Sequence, residues 1–508
     1  MTPRLSRRHA RPAVPALSCA LLALSLAGCA VVGPDYQAPT LGLPTQWMNA
    51  PKQSPAAPHD LTRWWAGLRD RTLDALIEEA VAGNLDVAAA KARIREARAA
   101  RKQAIAALFP TAESTDSLTR NKTANSAPSE TLPVRYSPYT LYQAGFDASF
   151  ELDLFGGNKR SLEASTRGLE ASFDDLDSTL LTLVGDVATY YAEARGYQAR
   201  IALAKRTAAS MRSTAALTQS KFDAGSASAV DVAKATAQAA STEANIPSLT
   251  TAYVEAVHRL ALLLGRDPTA LDARLKREVP IPTPRLPLRA GIPADVLSRR
   301  PDVRKAERQL AQFTAKIGVA TAALYPDVSL TGNISTSAQK AGDLGKSSTI
   351  GWSYGPSVTV PIFNAGNLLA AVEVAEAQRD EYYLSFRSTV LTALEDVENA
   401  LVALSEERKR AAKLGESARN YGEATRLSRA LYQTGSSSFL DVLDAERSAY
   451  SAEDSLLQSR VAIATDYVAL AKALGGGWSG PVDVSKPEIV DVGTLPHPVD
   501  FRVMDPVR

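Results

Sequence analysis

At 508 residues the chain is long enough for several ordinary domains or for one elongated object. Only 6% of it is aromatic and 22% charged, and alanine is conspicuously frequent, which favours long helices with small-residue contacts over bulky globular cores. Its net charge of +2 becomes −2 once the first 28 residues, with four arginines and no acid, are set aside, so nothing in the charge points to a nucleic-acid partner.

The chain opens as an export signal over residues 1–28. Arg4, Arg7, Arg8 and Arg11 precede an apolar run from Ala13 to Ala27 that is too short to span a membrane as a mature helix. The run ends Leu26-Ala27-Gly28-Cys29, which is similar to a bacterial lipobox and makes Cys29 the lipidated N-terminus. The bland alternative is an ordinary signal peptide with a chance cysteine. Cys19 lies within the removed segment, so the mature chain has no second cysteine for an internal disulfide or for thiol catalysis. Ala30 stands where an aspartate would retain such a lipoprotein at the inner membrane, which points to the outer membrane. Several acyl groups together hold firmly where one holds marginally.

Beyond this segment the chain is duplicated. Ala92 to Pro110 and Lys305 to Pro326 are both Arg/Ala-rich helical patterns, closing on Phe-Pro and Tyr-Pro. Strand-like segments follow in each half, then DLFGGN from Asp153 and PIFNAGN from Pro361. Each half continues with a very long helical pattern, a Gly-Ser turn at Gly225 or Gly435, and a second helix. The first repeat covers 74–265, with strands at about 111–123 and 140–155 and a helical hairpin over 158–265. The second covers 302–475, with strands at about 326–336 and 349–363 and a hairpin over 366–475. Proline is absent from Tyr139 to Ile246 and from Ile362 to Gly480, so each long helix reaches on the order of 100 Å and must pack lengthwise on others like it. Pro247 is expected to kink the first return helix.

The strands carry a period of two. Tyr142, Ala144, Phe146, Ala148 and Phe150 alternate with Gln143, Gly145, Asp147, Ser149 and Glu151. Ile350, Trp352, Tyr354 and Val358 repeat this, with Pro356 counting against an unbroken ladder; Val328, Leu330 and Ile334 follow suit, and 111–123 is the weakest of the four. One face could cover a soluble core, or face lipid while the other faces water. Segment length favours lipid. Open edges cannot face hydrocarbon and four strands cannot close around a pore, so spanning strands would oblige several chains to share one barrel.

GPDYQAP (Gly33 to Pro39), the Trp64 to Ala99 segment, SRRPDVRKAERQLAQFTAKIGVATAALYPDVSLTG (Ser298 to Gly332), FELDLFGG and LDVLDAERS together resemble the TolC-like outer-membrane efflux factors, in their NodT/OprM-type lipoprotein branch. That resemblance implies a mainly α fold with membrane β: a homotrimer with a 12-stranded β-barrel, four strands per chain, continued by a long α-helical periplasmic barrel. It assigns 29–73 to a lipidated N-terminal segment and equatorial wrap, 266–301 to a proline-rich equatorial connector of extended chain, and 476–508 to a C-terminal tail. The implied partners are a periplasmic adaptor, an inner-membrane pump of the resistance-nodulation-division (RND) class and outer-membrane lipid. The implied function is a passive exit duct for small molecules with a gate at its periplasmic tip. By the same resemblance Leu440 is an apolar plug, Asp441 and Asp444 line the constriction, and Arg447 ties the hairpin shut. Acids in a first helical turn also complement the helix dipole without further function.

No HExxH, CxxC, phosphate-binding glycine loop or GxSxG is present, and His59, His258 and His497 lie far apart, so an enzyme has no residues to carry it. Neither a cofactor other than the covalent lipid on Cys29 nor a bound metal is expected, and four methionines count against a copper or silver conduit. Two other readings stay open: a lipid-anchored periplasmic coiled-coil or adhesin stalk, and an exit duct for protein secretion.

Overall fold

The computed structural model describes residues 31–49, 61–122, 137–284, 288 and 290–485. The signal over 1–28, Cys29, the middle of the first polar loop and the end of the tail lie outside the described residues.

Helices dominate. A 3-10 turn at Trp64–Leu68 precedes α1 (Arg71–Gly83), which Asp70 caps by accepting from Thr72 N and Leu73 N. Asn84 parts α1 from α2 (Leu85–Ala106), accepting from Asp86 N and Val87 N at 2.9 and 3.0 Å. The first hairpin is α3 (Gly157–Asp223), 67 residues long, and α4 (Ala229–Leu263). α4 is continuous through Pro247, whose missing N–H cancels one bond of the ladder.

The connector differs from the extended chain expected of it. It holds a 3-10 turn at Pro268–Leu271, α5 (Asp272–Leu275) and α6 (Pro293–Arg299), and α7 (Pro301–Ala322) starts directly behind it. Three of its prolines open helical segments, where a fixed φ helps and the N–H is not needed. The second hairpin is α8 (Asn367–Thr434), 68 residues, and α9 (Phe439–Ala473). Trp65 stacks on Trp478 at 6.0 Å and Trp64 packs near Tyr467 at 6.2 Å, pinning the turn before α1 and the start of the tail.

Four antiparallel strands form one sheet in the order β1 (Thr111–Asn121), β2 (Tyr139–Glu151), β3 (Asp327–Ala338) and β4 (Ile350–Thr359). Register puts Phe146 opposite Ile334 and Ile334 opposite Trp352, and likewise Phe150 opposite Leu330, so the apolar residues share a face. Asp147, Asn333 and Ser353 share the other. Pairing continues past Pro356, which an edge strand tolerates where the missing donor would point away from its partner. β2 ends four residues before the expected 155, because Asp153 is used to start α3 instead: its carboxylate accepts from Asn158 N at 3.1 Å and Lys159 N at 2.9 Å. β4 stops at Thr359, ahead of Pro361, and β3 runs on to Ala338, two residues beyond the expected 336.

Contacts divide the chain into two units. One gathers the segment before residue 42 with 97–171 and 305–389 and contains the sheet; the other gathers 42–96, 172–304 and the chain from 390 on, and contains both hairpin turns. Among the described residues no helix is long and apolar enough to cross a membrane.

Candidate functional site

The second Gly-Ser turn is built by local chemistry. Gly435 takes φ of +83°, a region that glycine enters freely, and Ser436 N donates to Leu431 O at 2.8 Å to finish α8. Ser438 then caps α9 in a reciprocal box with Asp441. Three donors converge on Asp441 Oδ2: Ser437 Oγ at 2.8 Å, Ser438 Oγ at 2.9 Å and Ser438 N at 3.1 Å. They hold its pKa below the ordinary carboxylate value, the Ser437 hydroxyl contributing most, then the Ser438 hydroxyl and amide.

The first turn has the same parts except that Ala227 stands where the second has Ser437. Gly225 sits at φ +73°, Ser228 caps α4, and Asp231 accepts from Ser228 Oγ at 2.8 Å and Ser228 N at 3.2 Å. Asp441 and Asp231 are therefore both helix caps. Asp444 is an exposed acid peculiar to the second turn, lying where the first has Lys234.

Leu440, Asp441, Asp444 and Arg447 are all exposed, Leu440 to 51%. The side chains of Asp444 and Arg447 make no hydrogen bond or ion pair with any described residue. A tie between helices lies beside it, on a residue that sequence reasoning passed over. Glu446 Oε1, on a side chain only 3% exposed, accepts from Arg429 Nε of α8 at 2.7 Å and from Thr214 Oγ1 of α3 at 2.7 Å. One carboxylate thus joins three helices. Arg200 adds a two-pronged bond to Asp454 at 2.7 and 3.1 Å, again joining α3 to α9.

The hairpin ends also hold a buried apolar cluster of Tyr432, Phe439, Val442 and Ala235. Tyr432 donates to Thr218 Oγ1 at 3.2 Å and carries Lys221 Nζ 4.9 Å from its ring centre. The signal that could have found Glu446 is its position: Phe439, Val442, Ala445, Ala449 and Ala452 form the buried stripe of α9, and Glu446 is the one acid inside it. Among the described residues no group of His, Cys, Asp and Glu is placed to hold a metal ion.

The profile described as outer membrane efflux protein matches residues 76–266 and 292–476, one stretch on each repeat. The chain belongs to that family. Nodulation protein T of Rhizobium leguminosarum bv. trifolii is 36% identical over 462 residues, covering 90% of this chain and 96% of that protein. The toluene efflux pump outer membrane protein TtgI of Pseudomonas putida is 33% identical over 468 residues, covering 90% and 97%. Among solved structures, the outer-membrane channel OprN is 34% identical with a TM-score of 0.82, over 88% of this chain and 100% of that one. The open state of the Neisseria gonorrhoeae MtrE outer membrane channel is 31% identical with a TM-score of 0.78, over 88% and 98%.

Proposed function

We propose that three copies of this chain form a passive exit duct in the outer membrane for small molecules, as part of a tripartite efflux system. An inner-membrane pump of the RND class consumes the energy, and a periplasmic adaptor joins pump to duct. The sheet carries the reading. Leu118, Phe146, Ile334, Trp352, Tyr354 and Val358 lie on its apolar face at exposures of 46% or more, against a polar face of Glu113, Asp147, Asn333 and Ser353. β1 and β4 are left with open edges. Hydrocarbon on one side forbids those edges, and closure by neighbouring chains satisfies them. Three sets of four strands make a barrel wide enough to hold water. A relative named for toluene efflux supports small-molecule cargo, and Cys29 supplies the lipid that holds the assembly in the outer membrane.

The second hairpin turn is the gate of this duct. Threefold symmetry makes Asp444 a ring of three carboxylates, with Asp441 a second ring that also caps α9, and such rings favour cations at a pore mouth. Leu440 narrows the opening, and Arg447, without a partner among the described residues, reaches for an acid on a neighbouring chain. Planar bilayers test the whole reading. The lipoprotein should form a trimer with low resting conductance, and Asp444→Asn should raise that conductance or weaken block by divalent cations. A silent monomer would favour the periplasmic stalk, and unchanged currents in both Asp444→Asn and Asp441→Asn would remove the gate.

A further inference from the structure

The apolar face of the sheet is not uniform. β2, β3 and β4 put no charged residue on it. β1 puts two there, Asp116 opposite Ala144 and Arg120 opposite Thr140, both exposed. Asp116 is the sixth of the eleven residues of β1, so on a strand that crosses a membrane it lies far from either headgroup layer. Among the described residues its carboxylate accepts only from Ser114 Oγ, at 3.3 Å, while Arg120 Nη1 donates to Thr140 Oγ1 at 3.2 Å. A carboxylate at that depth needs a donor, because hydrocarbon offers none. The donors stand on the other open edge. Trp352 and Tyr354 of β4 lie on the same face, 70% and 77% exposed and stacked with ring centres 5.8 Å apart. Neither the indole N–H nor the phenol O–H has a hydrogen-bond partner among the described residues.

The register places these two edges against each other. The row that begins at Thr111, the foot of β1, runs through Ser149 and Thr331 to Gly355. It stands two residues above the foot of β2 at Glu151, and four above those of β3 at Asp327 and β4 at Thr359. A closed barrel requires that this climb continue round the ring. One more step of two residues, which keeps inward residues beside inward ones, sets Gly355 against Ser117 of the next chain. Trp352 then lies opposite Arg120, and Tyr354 lies opposite Leu118 and diagonal to Asp116, a separation that aromatic side chains span. We infer that the seam between copies is keyed on its outer face: the Tyr354 hydroxyl donates to Asp116 of the next chain, and the Trp352 ring takes that chain's Arg120 guanidinium on its face. The key selects one register for pairing β4 with β1 of a second copy. It rests on the reading of the strands as a barrel shared by three chains, and adds the residues that choose the partner edge.

Cysteines on the inner face test the register without touching the key. Ser117 is exposed, and a Cβ on Gly355 would meet nothing within 4 Å. In membranes holding the full-length protein, Ser117→Cys combined with Gly355→Cys should cross-link chains on mild oxidation. The yield should be several-fold above that of Gly355→Cys with Thr115→Cys or Thr119→Cys, and above any single variant. Equal yields, or a maximum at 115 or 119, overturn the register and the key with it. Heating the detergent-solubilised protein tests the key itself. Tyr354→Phe should lower the temperature at which the trimer dissociates, and adding Asp116→Leu should restore it, because the carboxylate left without a donor is gone. No loss in Tyr354→Phe, or a further loss in the double variant, overturns the key. The mass of the parent assembly separates the two failures. A trimer without cross-links at any of the three positions overturns this inference alone, whereas a monomer overturns the shared barrel and this seam together.

Discussion

The two hairpin turns share one construction and differ in the residues set around it. Turn and cap are shared: glycine at positive φ, serine at the N-cap, aspartate closing the box. What lies along the flanking helices is not. Asp444, Glu446 and Arg447 correspond to Lys234, Thr236 and Ala237, and the buried Tyr432 to Phe222, which is 41% exposed. Residues that make the turn answer to backbone geometry, which both copies must satisfy. Residues that lie along the flanking helices differ between the copies, and in the second turn they include a buried acid and exposed charges of both signs.

Reversing the charge at the site of divergence should have the largest effect. Asp444→Lys gives the second turn the first turn's residue and should abolish cation preference in single-channel recordings, while Lys234→Gln leaves it intact. Next comes the buried tie. Glu446→Ala strips Arg429 and Thr214 of their shared acceptor and should cost about 1–3 kcal/mol of local stability, towards the lower end because Arg429 is 35% exposed and can turn to water. Amide exchange around the second turn should accelerate accordingly; Thr236→Ala, its counterpart, should change little. Arg447→Ala should raise the open probability of the resting channel more than it shifts ion selectivity, and the reverse outcome would mean that Arg447 is part of the filter.

Smaller effects test what the turns share. Ser438→Ala and Ser228→Ala should each cost about 1 kcal/mol, visible as equal gains in exchange of the first-turn amides of α9 and α4. Unequal losses would show that the caps have diverged as well. The smallest effect is acid fraying of α9. The Asp441 pKa is depressed in the folded state, so its capping contribution is complete above the unfolded value of about 3.9 and fades as pH falls through the folded one. Asp441→Asn should remove that pH dependence from the exchange of the α9 first turn, relative to intrinsic rates.

Much of this molecule is legible in its sequence because the relevant signals are local and periodic. Helix-forming composition and the absence of proline mark the long helices, and Gly435 marks the second turn. Alternation from Tyr142 to Phe150 marks β2 but not its end, because Asp153 has the polarity of the strand pattern and is recruited to cap α3. Prolines in the connector read as extended chain, yet Pro268, Pro293 and Pro301 begin helical segments, since a proline's fixed φ suits either use.

The sequence by itself determined the duplication, the element order, the two-faced strands and the Gly-Ser turns, because each follows from backbone preference or from spacing within one segment. Only the tertiary structure decided that Glu446 joins Arg429 and Thr214, that Asp441 is spent on its own helix while Asp444 is not, and that Arg160 grips the N-terminal segment. The contacts of Glu446 link residues 17 and 232 positions apart, and no local propensity encodes which distant partner a buried charge will meet.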